Sequence, residues 1–132
     1  MEAARLLDAR YHLVITNVPY LTRGKQSEAI KKYCEDHYPQ AKNDLANVLL
    51  ERCLELATVG CGVTQVVMPQ NWLFLTSYKK QRESLLKGVS WNLLARLGMA
   101  AFKIMDWWAF NVILLTQTRA TAPATFLLRG LD

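Results

Sequence analysis

Long apolar runs are scarce in this sequence, and that excludes the first broad class. The most hydrophobic stretch, Met99 to Gln117, is broken by Lys103, Asp106 and Asn111. It falls short of the roughly 18 uninterrupted residues that a membrane-crossing helix requires. Met1 to Leu7 carries Glu2 and Arg5 and lacks the apolar segment of a secretory leader. Cysteine is sparse and odd in number, at Cys34, Cys53 and Cys61. No disulfide framework follows from that, and a reduced, cytoplasmic setting is expected. Cys34-x2-His37 followed by Cys53 and Cys61 does not match the spacing of a compact zinc knuckle, so no metal centre is expected. Glycine (6) and proline (4) are too few for a collagenous or low-complexity chain.

What is present suits a packed domain. The chain has 132 residues, 52% hydrophobic and 20% charged. A chain of this size buries roughly two-thirds of its unfolded surface without any staple. Sixteen Lys and Arg against eleven Asp and Glu leave a net charge of +5. That admits a nucleic-acid partner without requiring one.

Periodicity divides the chain into alternating elements. Glu2 to Arg10 reads as a short helix, and Tyr11 to Thr16 as a buried strand ended by Asn17 and Pro19. Ser27 is placed to cap a helix reaching about Asp36. Between Asp44 and Thr58, apolar residues recur at Leu45, Ala46, Leu49, Leu50, Cys53, Leu54 and Ala57, the stripe of a helix packed on a sheet. Asn43 is its expected cap, Gly60 its left-handed terminator, and Cys53 a core residue. Val63 to Met68 is a second strand, followed by a helix from Thr76 or Ser77 to Lys87. Ser90 to Leu97 and Asn111 to Thr118 read as further strands, with a short terminal one at Thr125 to Leu128. The order implies a single α/β domain of about four strands with right-handed crossovers and an antiparallel pair at the end.

Ligands in open α/β sheets gather at the carboxyl ends of strands. Asn17-Val18-Pro19-Tyr20 follows the first strand there. It combines a side-chain carbonyl, a main-chain carbonyl, a stiffened turn and a flat aromatic face. Two acceptors and a stacking ring suit a planar ring bearing an exocyclic amine. The plainer alternative is a proline turn with a surface tyrosine. Pro69-Gln70-Asn71-Trp72-Leu73-Phe74 follows the second strand. Trp72 and Phe74 either fill core or line the same cleft.

The ordered set of segments resembles the adenine-specific (N6) DNA methyltransferases of the Asn-Pro-Pro-Tyr class. The likeness is nearest to the large enzymes of restriction-modification and BREX-type phage-defence systems. It rests on "LVITNVPYL", on Asn43-Asp44-Leu45 leading into "LLERCLEL", on "GVTQVVMPQNWLFLTSYKKQRESLL", and on Asn111 to Leu115. The resemblance implies that the Asn17 side chain and the Val18 carbonyl accept from the adenine N6 amine. It also implies that Pro19 stiffens the turn and that Tyr20 stacks on an adenine flipped out of the duplex. Asp44 is assigned to the cofactor, S-adenosylmethionine, or to the motif loop. Arg23 and Lys25 are candidates for DNA contacts, and Trp72, Trp107, Trp108 and Phe110 for aromatic contacts with the base or DNA. Val18 stands where the family signature has its first proline, at some cost in rigidity.

The resemblance further implies the second half of a Rossmann-like sheet. A Gly-rich cofactor turn would lie upstream of Tyr11, and Gly60-Cys61-Gly62 runs from helix to strand, the wrong order for it. A target-recognition domain is expected from elsewhere, the first strand is expected to leave an open sheet edge, and the isolated chain is expected to transfer no methyl group. Two alternatives stand beside this expectation. One is a noncatalytic remnant or interaction module that associates through the open edge. The other is an RNA or protein-glutamine methyltransferase using the same Asn-x-Pro-Tyr device.

Overall fold

The computed structural model describes residues 2–97 and 111–131. Its elements are α1 (Glu2–Asp8), β1 (Leu13–Asn17), α2 (Glu28–His37), α3 (Leu45–Leu56), β2 (Val63–Pro69), α4 (Lys79–Gly88), β3 (Ser90–Leu97), β4 (Val112–Thr118) and β5 (Arg129–Leu131). They build one five-stranded sheet in the order β1-β2-β4-β3-β5. β1 and β2 are parallel, β4 runs antiparallel to both β2 and β3, and β5 lies parallel to β3. The mixed α/β layer and the antiparallel β3–β4 pair are as the sequence predicts.

Alternation sets the core. Val14 and Thr16, Thr64, Val66 and Met68, and Ile113 and Leu115 share one face of the sheet by register. Leu50, Cys53 and Leu54 of α3 and Leu85 of α4 close over that face with Trp72 and Trp91. Cys53 is a core residue, as its place in the stripe requires. The opposite face is more open at the edge strand, where Leu13 is 56% and Ile15 64% exposed. Among the described residues, β1 pairs only with β2.

Local differences from the sequence reading have identifiable causes. Asp44, not Asn43, caps α3, its side chain accepting from Ala46 N at 2.9 Å. Asn43 instead gives its carbonyl to Arg23 N at 2.8 Å. α3 stops at Leu56 because Tyr11 N takes the Leu56 carbonyl and Thr58 N donates to Tyr11 O, both at 2.8 Å. Ala57 is thereby drawn into an extended bridge with Tyr11. Gly60 does adopt the left-handed φ of 87°, but in the turn into β2 rather than as a helix cap. The terminal strand falls at Arg129–Leu131, since Phe126 N donating to Pro123 O holds the expected segment in a turn.

Candidate active site

The two strands that carry the motifs end at the same edge of the sheet. Asn17 is opposite Val67 and Pro69 is opposite Val112, while Leu97 at the end of β3 also faces Val112. The loops after β1 and β2 therefore leave from one side, beside the end of β3 and the start of β4. Trp107, Trp108 and Phe110 lie outside the described residues.

The Asn17–Tyr20 turn is held at both ends. Val18 N donates to Val67 O at 3.4 Å, and the Val18 side chain is 4% exposed within the core. Val18 is thus anchored by both its backbone and its buried side chain. Asn17 and Pro19 are exposed. Tyr20 is partly buried against the core, and its hydroxyl donates to Asn17 Oδ1 at 3.2 Å. Burial pushes the Tyr20 phenol above its ordinary pKa, so it is neutral at physiological pH.

Beyond Tyr20 the backbone is zipped to the start of α3. Leu21 N donates to Asp44 Oδ1 at 3.3 Å, and Leu45 N to Leu21 O at 3.0 Å. Thr22 and Asp44 form an antiparallel bridge, and Gln26 Nε2 also reaches Leu21 O at 3.0 Å. Asp44 is thus brought beside the motif loop, where one carboxylate oxygen serves the turn and the helix at once.

The cationic candidates separate. Arg23 Nη2 pairs with Glu35 Oε1 at 2.9 Å, and Lys42 Nζ reaches the same oxygen at 3.0 Å. Lys42 and Arg23 together hold the Glu35 carboxyl below its ordinary range. Arg23 is engaged by an acid, while Lys25 is exposed at the end of the short 3-10 turn Arg23–Lys25.

The two aromatics of the second loop part: one is core and the other surface. Trp72 is 1% exposed, its ring 5.8 Å from that of Trp91, so it is a core residue with almost no surface to offer a base. Phe74, which the sequence left between core and cleft, is 75% exposed. Gln70 N donates to Asn111 O at 2.9 Å and ties this loop to the start of β4. Arg82 Nη1 donates to the carbonyls of both Trp72 and Leu75. Sequence reasoning missed this clamp, because an arginine among lysines on a polar helix face carries no periodic signal that it turns inward.

The chain's glycine turn lies away from the Asn17–Tyr20 turn. Gly60 and Gly62 precede β2, at the sheet end opposite Asn17. A Cβ on Gly62 would run into the Thr58 backbone, so the close approach there is to the chain itself. An apolar cavity of about 350 Å³ between α2 and α3 is lined by Ile30, Tyr33, Tyr38 and Val48 among others, with no residue of the Asn17–Tyr20 turn. No described helix is long and apolar enough to cross a membrane.

Comparison with known proteins shows the family and the fold. Residues 3–101 match the family described as Eco57I restriction-modification methylase. The adenine-specific methyltransferase PglX of Lacticaseibacillus casei (strain Zhang) is 32% identical over 105 residues, which are 78% of this chain and 8% of the relative. The adenine-specific methyltransferase BrxX of Escherichia coli O9:H4 (strain HS) is 30% identical over 102 residues, 77% of this chain and again 8% of the relative. Among solved structures, one from Listeria monocytogenes described as a class I S-adenosylmethionine-dependent methyltransferase superposes with a TM-score of 0.69 at 14% identity. That superposition covers 93% of this chain and 37% of the other, and it shows a shared Rossmann-like methyltransferase fold. The chain spans less than a tenth of the length of the curated relatives it matches.

Proposed function

The chain belongs to the Eco57I restriction-modification methylase family, and from that membership we propose that it supplies the base-binding half of an adenine-specific DNA methyltransferase. The observation that carries the proposal is the Asn17–Tyr20 turn at the carboxyl edge of β1, with an exposed amide oxygen and a partly buried aromatic ring in one rigid unit.

The chemistry follows from the acceptors. An adenine amine is planar because its lone pair is delocalised into the ring. Asn17 Oδ1 and the Val18 carbonyl accept its two hydrogens and favour the tetrahedral nitrogen that attacks a methyl group. Acceptors fixed beforehand stabilise positive charge as it develops on that nitrogen. Tyr20 stacks on the extruded ring and holds it in place. S-adenosylmethionine, held by parts of the enzyme other than the glycine turn described above, would supply the methyl group from its sulfonium and depart as the neutral thioether, the methylated nitrogen losing its extra proton to water. Target recognition is likewise assigned to a separate segment, and the 132 residues on their own are expected to transfer no methyl group. Adenine is preferred over a glutamine amide because both curated relatives are named adenine-specific methyltransferases, and DNA over RNA because the family is described as a restriction-modification methylase. The assignment is to a cytoplasmic enzyme that acts on DNA with its remaining domains.

The deciding experiment compares methyl transfer to adenine N6 in duplex DNA by the longest natural polypeptide carrying this sequence and by its Asn17→Ala variant. Loss of transfer with retained S-adenosylmethionine affinity supports the proposal. Parental turnover by Asn17→Ala overturns it.

The open edge of β1, with Leu13 and Ile15 exposed, favours a second reading in which the chain acts as a noncatalytic module pairing with another copy or subunit. Sedimentation of the purified chain separates the two. A concentration-dependent dimer lost on Ile15→Lys, without S-adenosylmethionine binding in any longer form, favours the module.

A further inference from the structure

We propose that Asp44 is a positioning residue for methyl transfer, fixing the Asn17–Tyr20 turn through a hydrogen-bond acceptor rather than binding the cofactor through its charge; this rests on the base-binding role proposed above for that turn. One oxygen, Oδ1, accepts from two backbone N–H groups at once: Ala46 N at 2.9 Å, inside the first turn of α3, and Leu21 N at 3.3 Å, immediately after Tyr20. A single atom thereby couples the helix start to the residue that carries the stacking ring onward.

The helix end of this coupling is rigid. Asn47, one turn along α3, donates its side-chain amide to Gln81 Oε1 at 2.9 Å, and Gln81 Nε2 returns bonds to Asn47 O and Glu51 Oε1. Asn47 is 3% and Gln81 0% exposed, so these bonds fasten α3 to α4 out of reach of water. Asp44 thus holds the turn against a fixed support, and misplacing a reacting group by about 1 Å can cost about a hundredfold in rate.

The chemistry of the role separates it from cofactor binding. Accepting both N–H bonds needs an oxygen with two lone pairs at the reach of Oδ1, which asparagine retains, whereas a negative charge that holds or balances a ligand is lost in asparagine. Serine preserves the helix cap but is shorter by one bond, so it releases Leu21 while leaving α3 started.

The test uses the longest natural polypeptide carrying this sequence, as Asp44→Asn, Asp44→Ser and Asn17→Ala beside the parent. Three quantities are read: single-turnover methyl transfer to adenine in duplex DNA, S-adenosylmethionine affinity by calorimetry, and amide exchange at Leu21 by mass spectrometry. Asp44→Asn is expected within about threefold of the parent in turnover, with Leu21 still protected. Asp44→Ser is expected to lose at least tenfold in turnover and to exchange Leu21 faster. Cofactor affinity stays within about twofold in both. Asp44→Asn as impaired as Asp44→Ser, or a tenfold loss of cofactor affinity in either, overturns the assignment. So does parental turnover by Asp44→Ser while Asn17→Ala is inactive, which leaves the Asn17 reading standing. Parental turnover by Asn17→Ala overturns the base-binding reading and the functional half of this one, and Leu21 exchange then reports the clamp alone.

Discussion

The Tyr20 hydroxyl donates to Asn17 Oδ1 across 3.2 Å, so the ring and the amide of the motif turn brace one another. An amide oxygen has two lone pairs, and the second remains available to an incoming amine. The contact therefore orients the acceptor without consuming it. It also fixes the tyrosine's tip while the ring's body rests against the core.

Removing the hydroxyl and removing the ring should consequently differ. Tyr20→Phe loses one neutral hydrogen bond, about 0.5–1.5 kcal/mol, so kcat/KM for DNA falls by no more than about tenfold. Tyr20→Ala loses the stacking platform, about 1–3 kcal/mol, and with it roughly five- to 150-fold. Steady-state kinetics on one adenine-containing duplex, with both substitutions placed in the longest natural polypeptide carrying this sequence, check the ranking, and equal losses would refute a stacking role.

Asn17→Ala tests the acceptor itself. Deleting one preorganised hydrogen-bonding group aimed at transition-state charge costs about 10²–10³ in kcat, by analogy with an oxyanion-hole donor. The loss should sit in kcat, with S-adenosylmethionine affinity unchanged within about twofold. Calorimetry and single-turnover rates decide it, and a parallel fall in both would mean a folding defect.

β1 and β2 were legible because each is rich in β-branched residues and closes on Asn17 or Pro69, and such runs have few other uses. Ser27 likewise caps α2 as read, accepting from Ile30 N. Ambiguity survived wherever two adjacent residues could do the same job. Asn43 and Asp44 are both good caps, and only the tertiary bond from Arg23 to the Asn43 carbonyl settles which one turns to the helix. Trp72 and Phe74 are both large aromatics in one loop. A 3-10 turn at Asn71–Leu73, which no apolar period foretells, sends the first inward and the second out. The motif turn was readable from its residue types. The resemblance puts Asp44 at the cofactor or at this loop, but its bond to Leu21 N and the Arg82 clamp on the second loop were not readable, because a polar side chain bonded to distant backbone leaves no local pattern.

The separation of Trp72 from Phe74 has measurable consequences. Trp72→Ala removes a fully buried side chain from the core and should destabilise by about 3–5 kcal/mol. Phe74→Ser touches an exposed position and should stay within about 0.5 kcal/mol. Urea unfolding of both variants compares them directly. Similar destabilisation by the two would contradict the placement of this loop.

Alkaline stability offers a test that needs no substrate. Tyr78 is 5% exposed, and burial, aided by the nearby Asp44 charge, pushes its phenol up to about 12 from an ordinary value near 10. Tyr20 and Tyr38 are also raised, Tyr38 by burial and then by its hydrogen bond to Glu55. A phenol raised in the folded state stays neutral there while the unfolded chain ionises. Its contribution is therefore intact below pH 10 and drains away as the pH climbs through about 12, by roughly 1.4 kcal/mol per pH unit in between. For Tyr78 the full loss is on the order of 2–3 kcal/mol. Tyr78→Phe cannot ionise, so the variant should lose less stability than the parent between pH 9 and pH 11, whatever its offset at neutral pH. Urea unfolding at pH 8, 10 and 11 measures the slope. Because Tyr38 continues to titrate in both proteins, the variant's curve should flatten rather than become level. Parallel curves for parent and variant would show that Tyr78 is not buried as described, and would remove one wall of the core on which the Asn17 turn rests.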